Sequence, residues 1–214
     1  MSDPFICEQL RSRPENKELI QRFTIDREKD YSKLPDKVVG LEAYLKVCAW
    51  NDDENDLVRI YLVKDAVSQD IVAYFGIKAG MLVANMEDAV SLDEQERLLL
   101  EEGVKIFPEV LPGIEISHFA VNDDYRRKLS ENGMAVKGIG KYLYPKFIYP
   151  IIMDVGQKIG VHILYLYAAG DERLVEYYTE AFGFQEMSGA DHYTPLEPEY
   201  DGGCTFMFQR FYSS

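Results

Sequence analysis

The chain has 214 residues, 47% of them hydrophobic, which is enough to bury one sizeable core. Its formal net charge of -14 works against tight binding to bulk nucleic acid, where affinity comes largely from neutralising phosphates. Cys7, Cys48 and Cys204 have no paired spacing, His118, His162 and His192 have no ligand spacing, and no long apolar span interrupts the chain, so we expect a reduced cytoplasmic protein with neither metal nor membrane segment.

Residues 1–35 read as an N-terminal helical extension of a single domain over 1–214, because "ENKELIQRF" (15–23) carries apolar residues at helical intervals. "PDKVVGLEAYLKVCAW" (35–50) has the same periodicity, and the acidic "NDDEND" (51–56) then reads as a solvated loop. "LVRIYLVKD" (57–65) and "DIVAYFGIKAGML" (70–82) are rich in β-branched and aromatic residues and flank the turn-like "AVSQ", which predicts adjacent antiparallel strands. A helix over 91–102 is expected from Ser91 and Glu94, a capping-box pair, with Gly103 ending it. "GIEISHFAVND" (113–123) is a predicted strand, 138–159 a helix and "VHILYLYAA" (161–169) a strand, together a parallel β-α-β unit. The helix "DERLVEYYTEAF" (171–182), Gly183 with "FQEM", and a closing strand "GCTFMFQRFY" (203–212) follow. The fold class is therefore α/β (α+β), with an antiparallel first half and a parallel second half. Pro145 and Pro150 predict a kinked or short crossover helix.

Within the β-α-β unit, "AVKGIGKYLYPKF" (135–147) puts Gly138 and Gly140 between the first strand's end and the helix, where free N–H groups and the helix dipole can hold a phosphate. A Walker loop is excluded because Ala135 stands in place of its first glycine and Tyr142 in place of its Ser or Thr. A dinucleotide fingerprint lacks its third glycine, since that position is Leu143.

The remaining pattern, Arg or Gln, two residues, Gly, one residue, then Gly or Ala, is that of the GNAT acetyltransferases, which residues 36–212 resemble. The strand ending "FAVN" (119–122), the glycine turn, the next strand, the tyrosine-bearing helix and the Gly-Phe at 183–184 occur in that superfamily's order. The resemblance implies a GNAT fold, a central twisted mixed sheet flanked by helices, and an acetyl-CoA-dependent N-acetyltransferase. It assigns the pantetheine arm to Phe119, Ala120 and Val121, and the pyrophosphate to Lys137, Gly138, Ile139, Gly140 and Lys141. Asp171 stands where the family has an Asn beside the pantetheine, with helix capping its plainer role. Ala135 replaces the family's Arg or Gln, so Lys137 or Lys141 is expected to supply the missing charge.

By the same resemblance, Tyr178 is the acid that protonates the departing thiolate, with neighbouring Tyr177 not separable from it by helical spacing. Glu115 falls on the glutamate of histone-acetylating members and is the candidate base, with His118 or a water relay as alternatives. In a regular strand Glu115, Ser117, Phe119 and Val121 share one face and His118 the other. The acceptor is an amine, framed by loops near 24–36 and 84–112. The layout also resembles stand-alone GNAT toxins that acetylate aminoacyl-tRNA, a duty that the acidity opposes. A non-catalytic CoA-binding module would share these motifs, and exposed sheet edges admit a homodimer.

Overall fold

The computed structural model describes residues 3–26, 40–84, 110–132, 138–169, 172–187, 193–195 and 203–211. Strands β1 (Phe5–Gln9), β2 (Arg59–Asp65), β3 (Ile71–Ala84), β4 (Val110–Val121), β5 (Ile163–Ala169), β6 (Gln185–Glu186), β7 (Tyr193–Pro195) and β8 (Cys204–Arg210) form one sheet. Its order is β1-β2-β3-β4-β5-β8-β6, with β7 paired to β3. The pairs β1–β2, β2–β3 and β3–β4 are antiparallel, β4–β5 is parallel, and β5–β8 is antiparallel. The predicted mixed sheet is thus present, with the parallel crossover at its centre.

Helices cover both faces, which is why the central strands are near-continuous apolar runs. On one face lie α4, which runs from Ile139 through Ile159, and α5 (Glu172–Phe182). Leu143, Ile148, Ile152 and Phe182 from these helices pack with Ala73, Phe75, Ile114, Ile116, Leu164 and Leu166 from the sheet. On the other face lie α1 (Asn16–Leu19) and α2, built from Leu41–Ala43, a π-helical turn Tyr44–Cys48 and Ala49–Glu54. Ile20, Phe23, Leu45 and Ala49 there cover Ile60, Leu62 and Tyr74. Alternation along β3 sends Phe75 to the first core and Tyr74 to the second.

Two expectations change, a third is narrowed and one helix is added. The N-terminal extension is not wholly helical: residues 5–9 form the edge strand β1, in register Phe5↔Asp65 through Gln9↔Tyr61. The fully buried Lys64 ammonium bonds to Glu8 and Asn16 and so ties β1 and α1 to β2. The acidic run is not simply a solvated loop, because α2 continues to Glu54 and Asp53 is fully buried. Asp53 Oδ1 accepts from Arg59 at 2.6 Å and Oδ2 from the Ile60 N–H at 2.8 Å, pinning the helix end to β2. Losing that acceptor would leave a buried N–H unpartnered, a cost of about 1–3 kcal/mol.

The crossover helix is not short. Ile139–Leu143 passes into a π-helical turn, Tyr144–Ile148, and then Tyr149–Ile159, so the wide turn accommodates the N–H missing at Pro145. An additional helix, α3 (Asp123–Glu131), stands between β4 and the glycine turn. Asn122 caps it by accepting from the Asp124 N–H at 3.0 Å. The helix expected over 91–102 lies outside the described residues.

Candidate active site

The parallel pairing of β4 with β5 spans three residue pairs, Gly113↔Ile163, Ile114↔Leu164 and Glu115↔Tyr165, although β4 continues to Val121 and β5 to Ala169. Beyond Glu115 the two strands part, opening a cleft at their carboxyl ends. The parting coincides with a bulge in β4: Ile77 is opposite Ile116 and Gly76 opposite His118, so Ser117 is the extra residue. A bulge bends its strand and increases the local twist, which turns the end of β4 away from β5.

The cleft opens on the glycine turn. Gly138 has φ 86°, a left-handed conformation that a side chain would strain, and it is the N-cap of α4. The first N–H groups of that helix have no intrahelical partner by geometry, and the macrodipole adds to them. Gly140 is buried, and a Cβ there would sit 3.1 Å from Tyr177 Oη and 3.5 Å from the Phe119 ring. The structure thus brings Gly138, Ile139, Gly140, Phe119 and Tyr177 together at the cleft mouth. Phe119 and Val121 face the α4 side, whereas Ala120 packs in the opposite core. Lys141 is exposed on the first turn of α4. Lys137 and Asp171 lie outside the described residues.

Tyr178 takes a different position from Tyr177. Its ring packs against Phe182 at 5.8 Å and Phe184 at 6.0 Å between centroids, on the α4 face of the sheet. Burial raises both tyrosine hydroxyls above their ordinary value, and the nearby Arg126 charge pulls Tyr177 partly back. Both phenols are therefore protonated at neutral pH.

The bulge corrects the expected division of β4 into faces. Ile114 and Ile116 before it, and Phe119 and Val121 after it, all pack on the α4 face. Glu115 lies between the first two and His118 immediately before Phe119, so both occupy the opposite face. Glu115 is buried and bonded to Lys78 Nζ at 3.1 Å and to the Tyr165 hydroxyl. His118 stacks on Tyr44 with ring centroids 3.6 Å apart, and its Nδ1 lies 2.9 Å from Ser117 Oγ. Sequence reading missed Lys78, Tyr165 and Tyr44; a single charge inside the apolar "AYFGIKAGML" was the one available signal for Lys78.

A separate cavity of about 920 Å³ opens between Tyr144 and Tyr149 of α4, the end of α5 at Gly183, and Gln209 on β8, away from the glycine turn. Among the described residues no cluster of His, Cys, Asp or Glu could hold a metal, and no helix is long and apolar enough to cross a membrane.

Burial, with the Lys78 charge second, lowers the His118 pKa to about 3. The unfolded imidazole protonates near pH 6.5, so below that pH the unfolded state binds a proton that the folded state refuses. Stability contributed by this residue is present above pH 6.5 and declines as pH falls towards 3. The His118 Cε1–H resonance is expected to stay constant from pH 8 to 5, and a titration midpoint near 6 would contradict the stacked, neutral assignment.

No protein-family model and no curated protein sequence matches the chain. Solved structures do. AtaTR bound with acetyl-CoA is 16% identical, with 98% of this chain and 95% of that one covered at a TM-score of 0.61. A tyrosine-to-phenylalanine mutant of KacT is 12% identical, with 97% and 95% covered at 0.60. AtaT complexed with acetyl-methionyl-tRNAfMet is 15% identical, with 89% and 94% covered at 0.56. At these identities the likeness speaks to architecture, and together with the sheet order, the glycine-capped crossover helix and the parted strands it establishes that this chain has the GNAT fold.

Proposed function

We propose that the protein is an acetyl-CoA-dependent N-acetyltransferase, moving an acetyl group to a primary amine by direct attack in a ternary complex. The observation that carries this reading is the cleft between β4 and β5, bounded at its mouth by a glycine-capped helix. A pantetheine arm fits there as an added strand, its amides pairing with the backbone of Phe119, Ala120 and Val121. The pyrophosphate sits on the N–H groups of Ile139, Gly140 and Lys141, with charge from Lys141 and, by the resemblance, from Lys137; the resemblance also assigns Asp171 to the cosubstrate. Acetyl-CoA bound to AtaTR, a chain of the same fold, supports the ligand.

In the reaction, the amine nitrogen attacks the thioester carbonyl, a C–N bond forms, the tetrahedral oxyanion collapses and the C–S bond breaks. Ser117 stands outside the β3–β4 ladder, so its backbone N–H is the proposed oxyanion donor. Glu115 is the proposed base, directly or through water, with Lys78 Nζ 3.1 Å from its carboxylate. His118 is buried and stacked on Tyr44, which gives it a packing role in this reading. The acid is assigned to the tyrosine pair of α5, in which the resemblance selects Tyr178; the Tyr177 hydroxyl stands over Gly140, at the turn proposed to hold the phosphates.

The acceptor is a small amine, a polyamine or a protein amine, classes that the net charge of -14 favours. A second reading, acetylation of aminoacyl-tRNA, is favoured by AtaT complexed with acetyl-methionyl-tRNAfMet and opposed by the same charge. A CoA-binding module without catalysis is the remaining alternative, and turnover over a panel of amines and aminoacyl-tRNA separates the three.

Thermal unfolding with acetyl-CoA, CoA, ATP and NAD in parallel tests the ligand. Acetyl-CoA at a hundredfold over its Kd should stabilise by about 2.7 kcal/mol, raising Tm by about 5–10 °C. Stabilisation by ATP or NAD alone would exclude the acetyl-CoA reading.

Tyr177→Phe and Tyr178→Phe, each assayed at saturating acetyl-CoA on an acceptor found by screening, test the acid. One of the two is expected to lower kcat by about 10²–10⁴ with acetyl-CoA affinity nearly intact. A larger loss at Tyr178 fits the resemblance, and a larger loss at Tyr177 moves the acid one residue along α5. Full turnover in both would remove the acid from this helix.

A further inference from the structure

The glycine turn lacks the side-chain donor that its pattern calls for, since position 135 is Ala, yet a diphosphate needs more positive charge than one helix terminus supplies in a chain of net charge -14. We propose that Arg126, on α3, is the guanidinium that binds the pyrophosphate of acetyl-CoA in this protein. This inference rests on the acetyl-CoA reading above and adds a residue that neither composition nor the glycine pattern selects.

Three observations converge on Arg126. First, α3 is held rigidly against the end of β4: Asn122 donates to Ile71 O at 2.8 Å, and the Asp123 N–H donates to Thr24 O at 2.9 Å. Secondly, α3 lies beside the first turns of α4. Tyr125 meets Phe5 edge-on at 6.3 Å, and Phe5 meets Tyr142 edge-on at 5.9 Å, so one aromatic ring bridges the two helices. Arg126 follows Tyr125, and its charge is felt by the Tyr177 hydroxyl, the group that stands over Gly140. Thirdly, Arg126 is incompletely used. Its Nη1 donates to Asp123 Oδ1 at 3.2 Å, while its Nε is buried with no hydrogen-bond partner among the described residues.

A buried N–H without an acceptor is a net cost to the fold, and an oxygen acceptor entering from the cleft would offset it. A diphosphate provides it in the right form. Arginine presents a planar fork that pairs bidentately with phosphate oxygens, whereas the exposed Lys141 offers a point charge on a flexible stem. Asp123 holds one edge of the guanidinium and thereby orients the other. An ion pair confined to Asp123 would leave the buried Nε unexplained.

The test is titration calorimetry of wild type, Arg126→Gln and Arg126→Lys with acetyl-CoA, 3′-dephospho-acetyl-CoA and S-acetylpantetheine, the last used in competition format. Arg126→Gln is expected to weaken acetyl-CoA and its 3′-dephospho form alike, by about 10–100-fold, and to leave S-acetylpantetheine, which has no phosphate, unchanged. Arg126→Lys should recover part of the loss. Unchanged acetyl-CoA affinity in Arg126→Gln overturns the proposal, as does equal weakening of S-acetylpantetheine, which marks a structural defect. A loss confined to acetyl-CoA and absent for the 3′-dephospho form also overturns it, because the contact is then to the 3′-phosphate. Wild type that binds none of the three ligands brings down the acetyl-CoA reading itself, a result distinct from a binding wild type with an indifferent variant.

Discussion

The early end of the β4–β5 pairing is the constraint on which the site depends. Two parallel strands at the centre of a sheet ordinarily share their full length; here they share three residue pairs and then part at the Ser117 bulge. That one extra residue has two effects. It exposes the inner edges of β4 and β5 beyond Glu115, and an unpaired strand edge is a template for an extended ligand with its own amides. It also resets alternation, so that Glu115 and His118 share a face while Phe119 and Val121 turn towards α4.

The two sides of the cleft are then built from different physics. The α4 side offers backbone: a left-handed glycine, a helix terminus, and space at Gly140 that a larger residue would fill. Its charge requirement is local, which reconciles the proposed anionic cosubstrate with an acidic chain. The α2 side offers a desolvated polar group. Glu115 is buried against Lys78 and Tyr165, while His118 is held neutral by burial and stacked on Tyr44. An imidazole kept neutral would not repel the cationic acceptor proposed above.

Much of the fold was legible in the sequence because patterning and burial agree there. β2 and β3 read as strands from β-branched and aromatic content, and the glycine pair marked the start of α4. Other elements were hidden for physical reasons. β1 is a five-residue edge strand whose partner is fixed by the buried Lys64, a long-range contact without local signature. The polar "DDYRRKLSE" becomes helix α3 through the Asn122 cap, which is readable only once β4 is known to end at Val121. Asp53 looked solvated in an acidic run because its partners, Arg59 and the Ile60 N–H, come from the next strand. The candidate site divides similarly: the glycine turn and the Tyr177–Tyr178 pair were visible, whereas Lys78 and Tyr165, and the proposed Arg126, join it only through tertiary geometry.

Amide hydrogen exchange of the intact chain, with and without saturating CoA, addresses the central claim that this cleft is where the cosubstrate lies. The account predicts protection at the β4 amides of Phe119–Val121 and at the α4 amides of Ile139–Tyr142, where backbone N–H groups meet the pantetheine and the phosphates. Protection confined to the walls of the separate cavity around Tyr149, Gly183 and Gln209, with the β4 and α4 amides unchanged, would contradict it.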